Sequence, residues 1–336
     1  SVMQPLYGYL SDRVRSRWFT VLAPFIAGLF ISSLGLARGY AGLLALVLLG
    51  GVGIAAFHPQ GAAHASTTLR ERRGLAMAIF ISSGSIGLSC GPMLFALVTG
   101  TLGLARSYWA ALPGLACTLL LAAVLPEPPR HERGKAKHFD LAPFQAVWKP
   151  MTLLYFLVII RSVIQIAFTQ FLALYFHSER GFSVSRASLM LTLFLFGGSM
   201  GGFLGGNLAD RLGGKRIVMF SMIGSAPLLA LFMATGGAVS LAALFLGGLI
   251  LLFTTPVNVT MAQDLVPSQA GTVSALMMGF AWGMAGLVII PLFGWAADHV
   301  GLGAAMRAIV LLPLAGFVLA VLLPEDRPAL ERAAAR

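Results

Sequence analysis

The sequence is poor in charge and nearly empty of cysteine. Charged residues make up 10% of the 336-residue chain, against roughly a quarter in a water-soluble domain. A folded chain of this composition cannot cover itself with a solvated surface. Asp and Glu number only 12, and none stands deep inside an apolar run. Cys90 and Cys117 lie singly in apolar runs, which excludes a disulfide framework and a Cys-ligated zinc site. No nucleophile–base pair and no metal-ligand cluster can be assembled, and no glycine-rich stretch is followed by Gly-Lys-Ser or Gly-Lys-Thr. The reading therefore carries no catalytic residue, no metal and no cofactor. No signal peptide precedes the first apolar run.

What the chain has in quantity is apolar length. Apolar residues make up 58% of it, and the mean hydropathy is +0.87. Ten runs reach the roughly 20 residues that carry a helix across a bilayer's hydrocarbon core: 18–37, 41–65, 74–99, 107–125, 151–176, 185–208, 217–235, 239–263, 272–297 and 304–323. They must be helical, because lipid offers no partner to unpaired backbone groups, and they lack the alternation of barrel strands. The net charge of +11 is not a nucleic-acid footprint, since the basic residues fall in short clusters between the runs. Alternate loops collect 17 of the 23 Lys and Arg, and the opposite loops hold 5, namely Arg38, Arg106, Arg180, Arg186 and Arg307. Positive loops stay in the cytoplasm, which predicts a cytoplasmic linker at 126–149 and a cytoplasmic tail at 324–336. The one remaining cation, Arg161, lies within a run.

The chain repeats itself. Gly8-Tyr9-Leu10-Ser11-Asp12-Arg13 recurs as Gly206-Asn207-Leu208-Ala209-Asp210-Arg211, an offset of 198 residues. Pro59 matches Pro256, Gly74 matches Gly271, Pro92 matches Pro291, and Pro126-Glu127 matches Pro324-Glu325, at offsets of 197 to 199. This predicts two homologous halves, 1–125 and 150–323, joined by the basic, Pro-rich linker. The second half has six spans, with about 60 residues ahead of Asp210, whereas 11 precede Asp12. The expectation is an N-terminally truncated sequence, beginning near the end of a second helix, from a parent with six plus six spans.

Two six-helix halves with Gly-x-x-x-Asp-Arg after the second helix of each resemble the major facilitator superfamily. Gly53 to Pro59 with Glu71-Arg72-Arg73-Gly74, Gly87-x-x-x-Gly91-Pro92, and Gly294-Trp295-Ala296-Ala297-Asp298 are similar to further patterns of that family. Phe57-His58-Pro59, Ala262-Gln263-Asp264-Leu265-Val266-Pro267, Gly279-Phe280-Ala281-Trp282-Gly283-Met284 and Ala297-Asp298-His299 resemble the fosmidomycin resistance protein group within it. The sequence departs from the pattern in three places. Leu44 to Leu49 is wholly apolar where an arginine is often found, Arg15 stands where a Gly is usual, and Ala78 replaces the first Gly of the antiporter motif. The resemblance implies an all-α fold with two pseudo-symmetric six-helix halves, in which the run at 151–176 is the seventh helix and lines a central pathway.

Arg161 is the most informative residue. It stands ten residues into its run, where an arginine costs at least about 2.5–3.5 kcal/mol unless it faces a cavity or a partner. Gln165 and Thr169 follow on the same helical face. Two readings remain open: a site for an anionic substrate held by the guanidinium, or an ion pair with a carboxylate elsewhere. His58, next to Pro59, is a candidate for the substrate-binding lining and a candidate proton carrier near neutral pH, or else a donor to a carbonyl freed at a kink. Asn258, with Gln263 and the kinking Pro256, is a further candidate for the cavity lining, and Asp264 a second candidate for proton coupling. The resemblance casts Gly8, Asp12 and Arg13, and their counterparts Gly206, Asp210 and Arg211, as gate elements. The glycine rows Gly197-Gly201-Gly205 and Gly198-Gly202-Gly206 predict tight helix crossings, as do Gly87 with Gly91 and Gly279 with Gly283.

The function expected is secondary active transport across the bacterial cytoplasmic membrane by a monomer embedded in the bilayer. Its halves rock about a midplane site and expel a drug-like or anionic small molecule in exchange for protons. Fosmidomycin, a phosphonate, is the substrate class the resemblance implies. An importer or uniporter of an organic anion or metabolite is the alternative, and a non-transporting membrane sensor a third reading.

Overall fold

The computed structural model describes residues 16–68, 73–126, 142–266, 273 and 275–325, and among them every regular element is a helix. Among the described residues, ten helical segments are long and apolar enough to cross a membrane, from Trp18–Leu36 to Leu302–Val321. Their positions match the ten runs of the sequence. Residues 1–15, with Gly8, Asp12 and Arg13, lie outside the described part, as do most of the linker and the end of the tail.

Contacts divide the chain into two compact units, Ser1–Gly84 with Gly91–His138, and Ser85–Cys90 with Phe139–Arg336. The first contains α1 (Trp18–Ser32), α2 (Tyr40–Thr68), most of α3 (Arg73–Leu102) and α4 (Leu112–Val124). Here α1 packs against both α2 and α4. Small residues set these approaches, with Gly53 against Ala23 and Ala27, and Gly28 against Gly114. At one end Ser107 ties the turn after α1, its Oγ donating to Ser32 O at 2.5 Å and accepting from Gly35 N at 3.3 Å. At the other, Arg17 donates to Leu125 O at 2.6 Å.

The second unit holds the short α5 (Ala142–Ala146), then α6 (Trp148–Ser178), α7 (Val184–Leu212), α8 (Gly214–Ala234), α9 (Gly237–Leu251) and α10 (Thr254–Leu265). A broken segment follows, made of α11 (Ala281–Met284) between π-helical turns at Ala275–Phe280 and Ala285–Ile289, and then α12 (Ile290–Val300). α13 (Leu302–Ile309) and α14 (Leu312–Val321) complete it. The glycines at 279, 283 and 286 lower the cost of leaving α geometry in that segment.

Two breaks follow one rule. A proline lacks the N–H that would bond four residues back, and its ring crowds that carbonyl. Pro256 therefore interrupts the helix at Leu252–Phe253, and Pro313 does so at Val310–Leu311. The sequence placed the first kink at the proline itself, whereas the break lies one turn earlier, where the lost bond belongs. In lipid the freed carbonyls need partners. Ser221 of α8 supplies them, its hydroxyl lying 2.5 Å from Ile250 O and 3.0 Å from Leu251 O, and Thr255 N donates to Leu252 O at 3.1 Å.

The row Gly197, Gly201 and Gly205 of α7 meets Phe245, Leu249 and Phe253, so each glycine of α7 lies on a successive turn of the facing chain. A Cβ at any of the three would collide with a backbone carbonyl oxygen. In the second row, Gly198 meets Leu252, and a Cβ at Gly206 would stand 3.4 Å from Pro256 Cγ. The first row and Gly198 cross as tightly as the spacing predicted, whereas a Cβ at Gly202 would stand 3.9 Å from Leu252 O, so Gly202 and Gly206 make ordinary contact. Gly87, Gly91 and Gly279 form no tight crossing: a Cβ at any of them meets nothing within 4 Å among the described residues. Spacing alone names a smooth face, not a neighbour upon it.

Glu179 and Arg180, adjacent at the end of α6, fasten one end of this unit. Arg180 donates to Tyr175 Oη, Thr235 O, Ser240 Oγ and Phe232 O at 2.8–3.2 Å. Its guanidinium lies 5.0–5.6 Å from the ring centroids of Tyr175, Phe176 and Phe232. Glu179 Oε1 accepts from Gly303 N at 2.6 Å, satisfying an open donor at the start of α13. The sequence placed Arg180 only as a loop charge. Charged hydrogen bonds of this kind contribute about 1.5–3 kcal/mol each and a cation–π contact about 0.5–2, without adding in full. Arg180→Ala is expected to destabilise the protein by about 3 kcal/mol, a fall of roughly 6–12 °C in the thermal melt of detergent-purified protein. Arg180→Lys should recover less than half of that, because an ammonium cannot reach four divergent acceptors.

At the opposite end, Lys215 pairs with Glu325 at 3.3 Å. Positions 215 and 17, and positions 323 and 125, stand in the 198-residue register of the repeat. In each unit, then, a cation at the start of one helix meets the chain where the last helix of that unit ends.

Candidate functional site

Arg161 lies near the middle of α6, a 31-residue helix, about 20 Å from its first residue at 1.5 Å per residue. Leu157, Val158, Ile164 and Phe168 around it are almost wholly buried, and Arg161 itself is 6% exposed. Its Nη1 donates to Gln165 Oε1 at 2.5 Å and its Nη2 to Ser162 Oγ at 3.0 Å. Its Nε is buried without a hydrogen-bond partner, and no carboxylate of the described residues pairs with it. The i to i+4 spacing did bring Arg161 to Gln165. Ser162 was missed, because a contact between successive residues leaves no trace in helical periodicity.

Thr169 is one turn beyond Gln165, and its hydroxyl donates to the Gln165 backbone carbonyl at 2.7 Å. It keeps only its acceptor capacity for anything else. In α10, Asn258 is fully buried. Neither its Oδ1 nor its Nδ2 has a partner, and the same holds for Thr255 Oγ1 on the adjoining turn. α10 packs against α6, α7 and α8. Thr255 was not anticipated; a hydroxyl beside a kink-forming proline was the available signal.

The other candidates are placed as follows. Position 58 lies within α2, and the side chains of His58, Pro59, Gln60 and His64 are outside the described part. Gly206 backs onto Pro256, Asp210 and Arg211 sit in the last turn of α7, and Asp264 is the penultimate residue of α10. Every carboxylate among the described residues, Glu179, Asp210, Asp264, Asp298 and Glu325, stands within a few residues of a helix end. Arg161 is thus the one charged side chain at mid-depth of a described helix.

A bundle of apolar helices with one arginine and an unpaired amide in its interior has the build of a polytopic membrane carrier. The chain matches the sequence profile of the Major Facilitator Superfamily over residues 1–288 and 178–336, and it belongs to that family. It is 32% identical over 336 residues to the uncharacterized MFS-type transporter YfnC of Bacillus subtilis, covering 97% of this chain and 81% of that protein. It is 29% identical over 332 residues to the fosmidomycin resistance protein of Escherichia coli, with the same shares of both chains. In fold it is similar to a bacterial homologue of the human lysosomal transporter Spinster, in an inward-facing and occupied conformation. The TM-score is 0.71 at 16% identity, over 96% of this chain and 85% of that one. The protein is a multi-pass membrane transporter and not an enzyme.

Proposed function

We propose that this transporter expels a small organic anion, of the phosphonate class, from the bacterial cytoplasm in exchange for protons. The observation that carries the reading is Arg161, a guanidinium 6% exposed at the middle of an apolar helix, with no carboxylate of the described residues beside it. A charge so placed calls for a counterpart, and a cargo anion supplies one. Arg161 and Gln165 hold the anionic group, with Thr169 and Asn258 along the same pathway. His58 carries the proton, and Asp264, at a helix end, is the other group able to do so. The Gly206, Asp210 and Arg211 turn closes the cytoplasmic side together with Gly8, Asp12 and Arg13. The halves 1–125 and 150–323 are the two moving parts, with the linker and the tail in the cytoplasm of a monomeric inner-membrane protein.

The test is flux of a labelled phosphonate in proteoliposomes, with and without an imposed pH gradient. Wild-type flux is expected to follow the gradient and fall at least tenfold when the gradient is collapsed. His58→Gln should flatten that dependence while leaving exchange of substrate for substrate intact. Flux indifferent to the gradient ends the antiport reading and leaves uniport.

A further inference from the structure

We infer that the unpaired amide of Asn258 and the hydroxyl of Thr255 form a second subsite, which reads an uncharged donor–acceptor group on the same substrate. The inference rests on the anion reading of Arg161 given above and adds what the rest of the substrate must carry.

Asn258 is fully buried and offers one donor, Nδ2, and one acceptor, Oδ1, both without a partner; Thr255 Oγ1 is likewise unpaired. The two residues are three apart on α10, so their side chains share one face. Most buried polar atoms in proteins are hydrogen-bonded, because one left open loses its water without gaining a partner. Three such atoms on adjacent turns therefore mark a place where partners are still to come. The hydroxyl one turn back does not serve Asn258, since Thr254 is engaged with Leu251 O.

The chemistry of the partner follows from the amide. A fully ionised oxyanion only accepts, so it would satisfy Nδ2 and leave Oδ1 facing negative charge. Rotating the amide by 180° exchanges the two atoms without removing the conflict. A group with a donor next to an acceptor satisfies both: a carboxamide, or an O–H beside a carbonyl or phosphoryl oxygen. The Thr255 hydroxyl accommodates either sense. The substrate class is then an organic oxyacid with an anionic head for Arg161 and an uncharged amide-like or hydroxyl-bearing group for Asn258.

Three probes separate the terms. Methylphosphonate carries the head alone, and phosphonoacetamide adds a carboxamide. Binding to detergent-purified wild-type protein is measured by isothermal titration. Phosphonoacetamide is expected to bind at least tenfold tighter than methylphosphonate, and also tighter than phosphonoacetate, its acceptor-only isostere. Asn258→Ala should remove the preference while retaining methylphosphonate binding. Asn258→Gln keeps the amide and checks that any loss is not one of folding. Equal affinity for the three probes in wild type overturns the subsite and assigns the orphan atoms to water, as does a preference that survives Asn258→Ala. Methylphosphonate binding that is absent, or unchanged in Arg161→Ala, overturns the anion reading instead.

Discussion

Leucine in place of Gly201 is expected to leave no folded protein to purify. The position of a Cβ at Gly201 is occupied by the Leu249 carbonyl, and the same collision recurs one turn away on either side, at Gly197 with Phe245 O and at Gly205 with Phe253 O. A flexible neighbour can yield to added volume at about 1–3 kcal/mol. Here backbone meets backbone, so the two helices must separate along the crossing and lose the packing that membrane helices rely on. A loss above about 3 kcal/mol is the consequence. Fluorescence-detected size-exclusion chromatography reads it as aggregation in place of a single symmetric peak. Gly87→Ala and Gly91→Ala are the controls. With nothing within 4 Å of the added methyl among the described residues, both should elute as wild type, and alanine should add a few tenths of a kcal/mol of helix propensity. A monodisperse Gly201→Leu protein with a wild-type melting curve would refute this account of the crossing.

The second large effect concerns Arg161→Met, which should separate stability from binding. Methionine fills a similar volume without a charge. Removing the guanidinium relieves a cost of at least about 2.5–3.5 kcal/mol. It also leaves Gln165 Oε1 and Ser162 Oγ without their donor, at about 1–3 kcal/mol for each that stays dry. These opposing terms predict a melting temperature close to that of wild type, or above it. Phosphonate binding should meanwhile weaken at least 100-fold, since a desolvated charge contact contributes about 2–5 kcal/mol. A structural ion pair predicts another outcome. Breaking a buried pair costs about 3–5 kcal/mol by stranding the remaining charge, so Arg161→Met would then melt far below wild type. Thermal melting alongside titration distinguishes the two.

The legible part of this fold was whatever depends on length and period. Ten apolar runs became ten crossing helices because a bilayer sets a minimum length, and Arg161 found Gln165 because i and i+4 share a face. The glycine row of α7 was legible for the same reason. What the sequence hid were relations between elements. Nothing in the spacing of Gly87 and Gly91 distinguishes them from Gly197 and Gly201, since the difference lies in which helix stands opposite. The break at Leu252–Phe253 was displaced from the expected position by one turn, because proline acts on a carbonyl it does not own. Ser221 and Ser162 gave no signal, as a hydroxyl in an apolar run reads as a small residue until its neighbour is known, and Thr255 gave only its place beside Pro256. Arg180 looked like one of five scattered loop charges and is in fact the most heavily bonded side chain described in the molecule.

That fastening also ties three helix ends into one knot. Glu179 and Arg180 bind the ends of α6, α8 and α13 at one rim, so a motion that parts any two of them must first break charged hydrogen bonds. Amide exchange should therefore be slow beside Thr235 and quicken there in Arg180→Ala, and any opening of a passage has to leave this rivet intact.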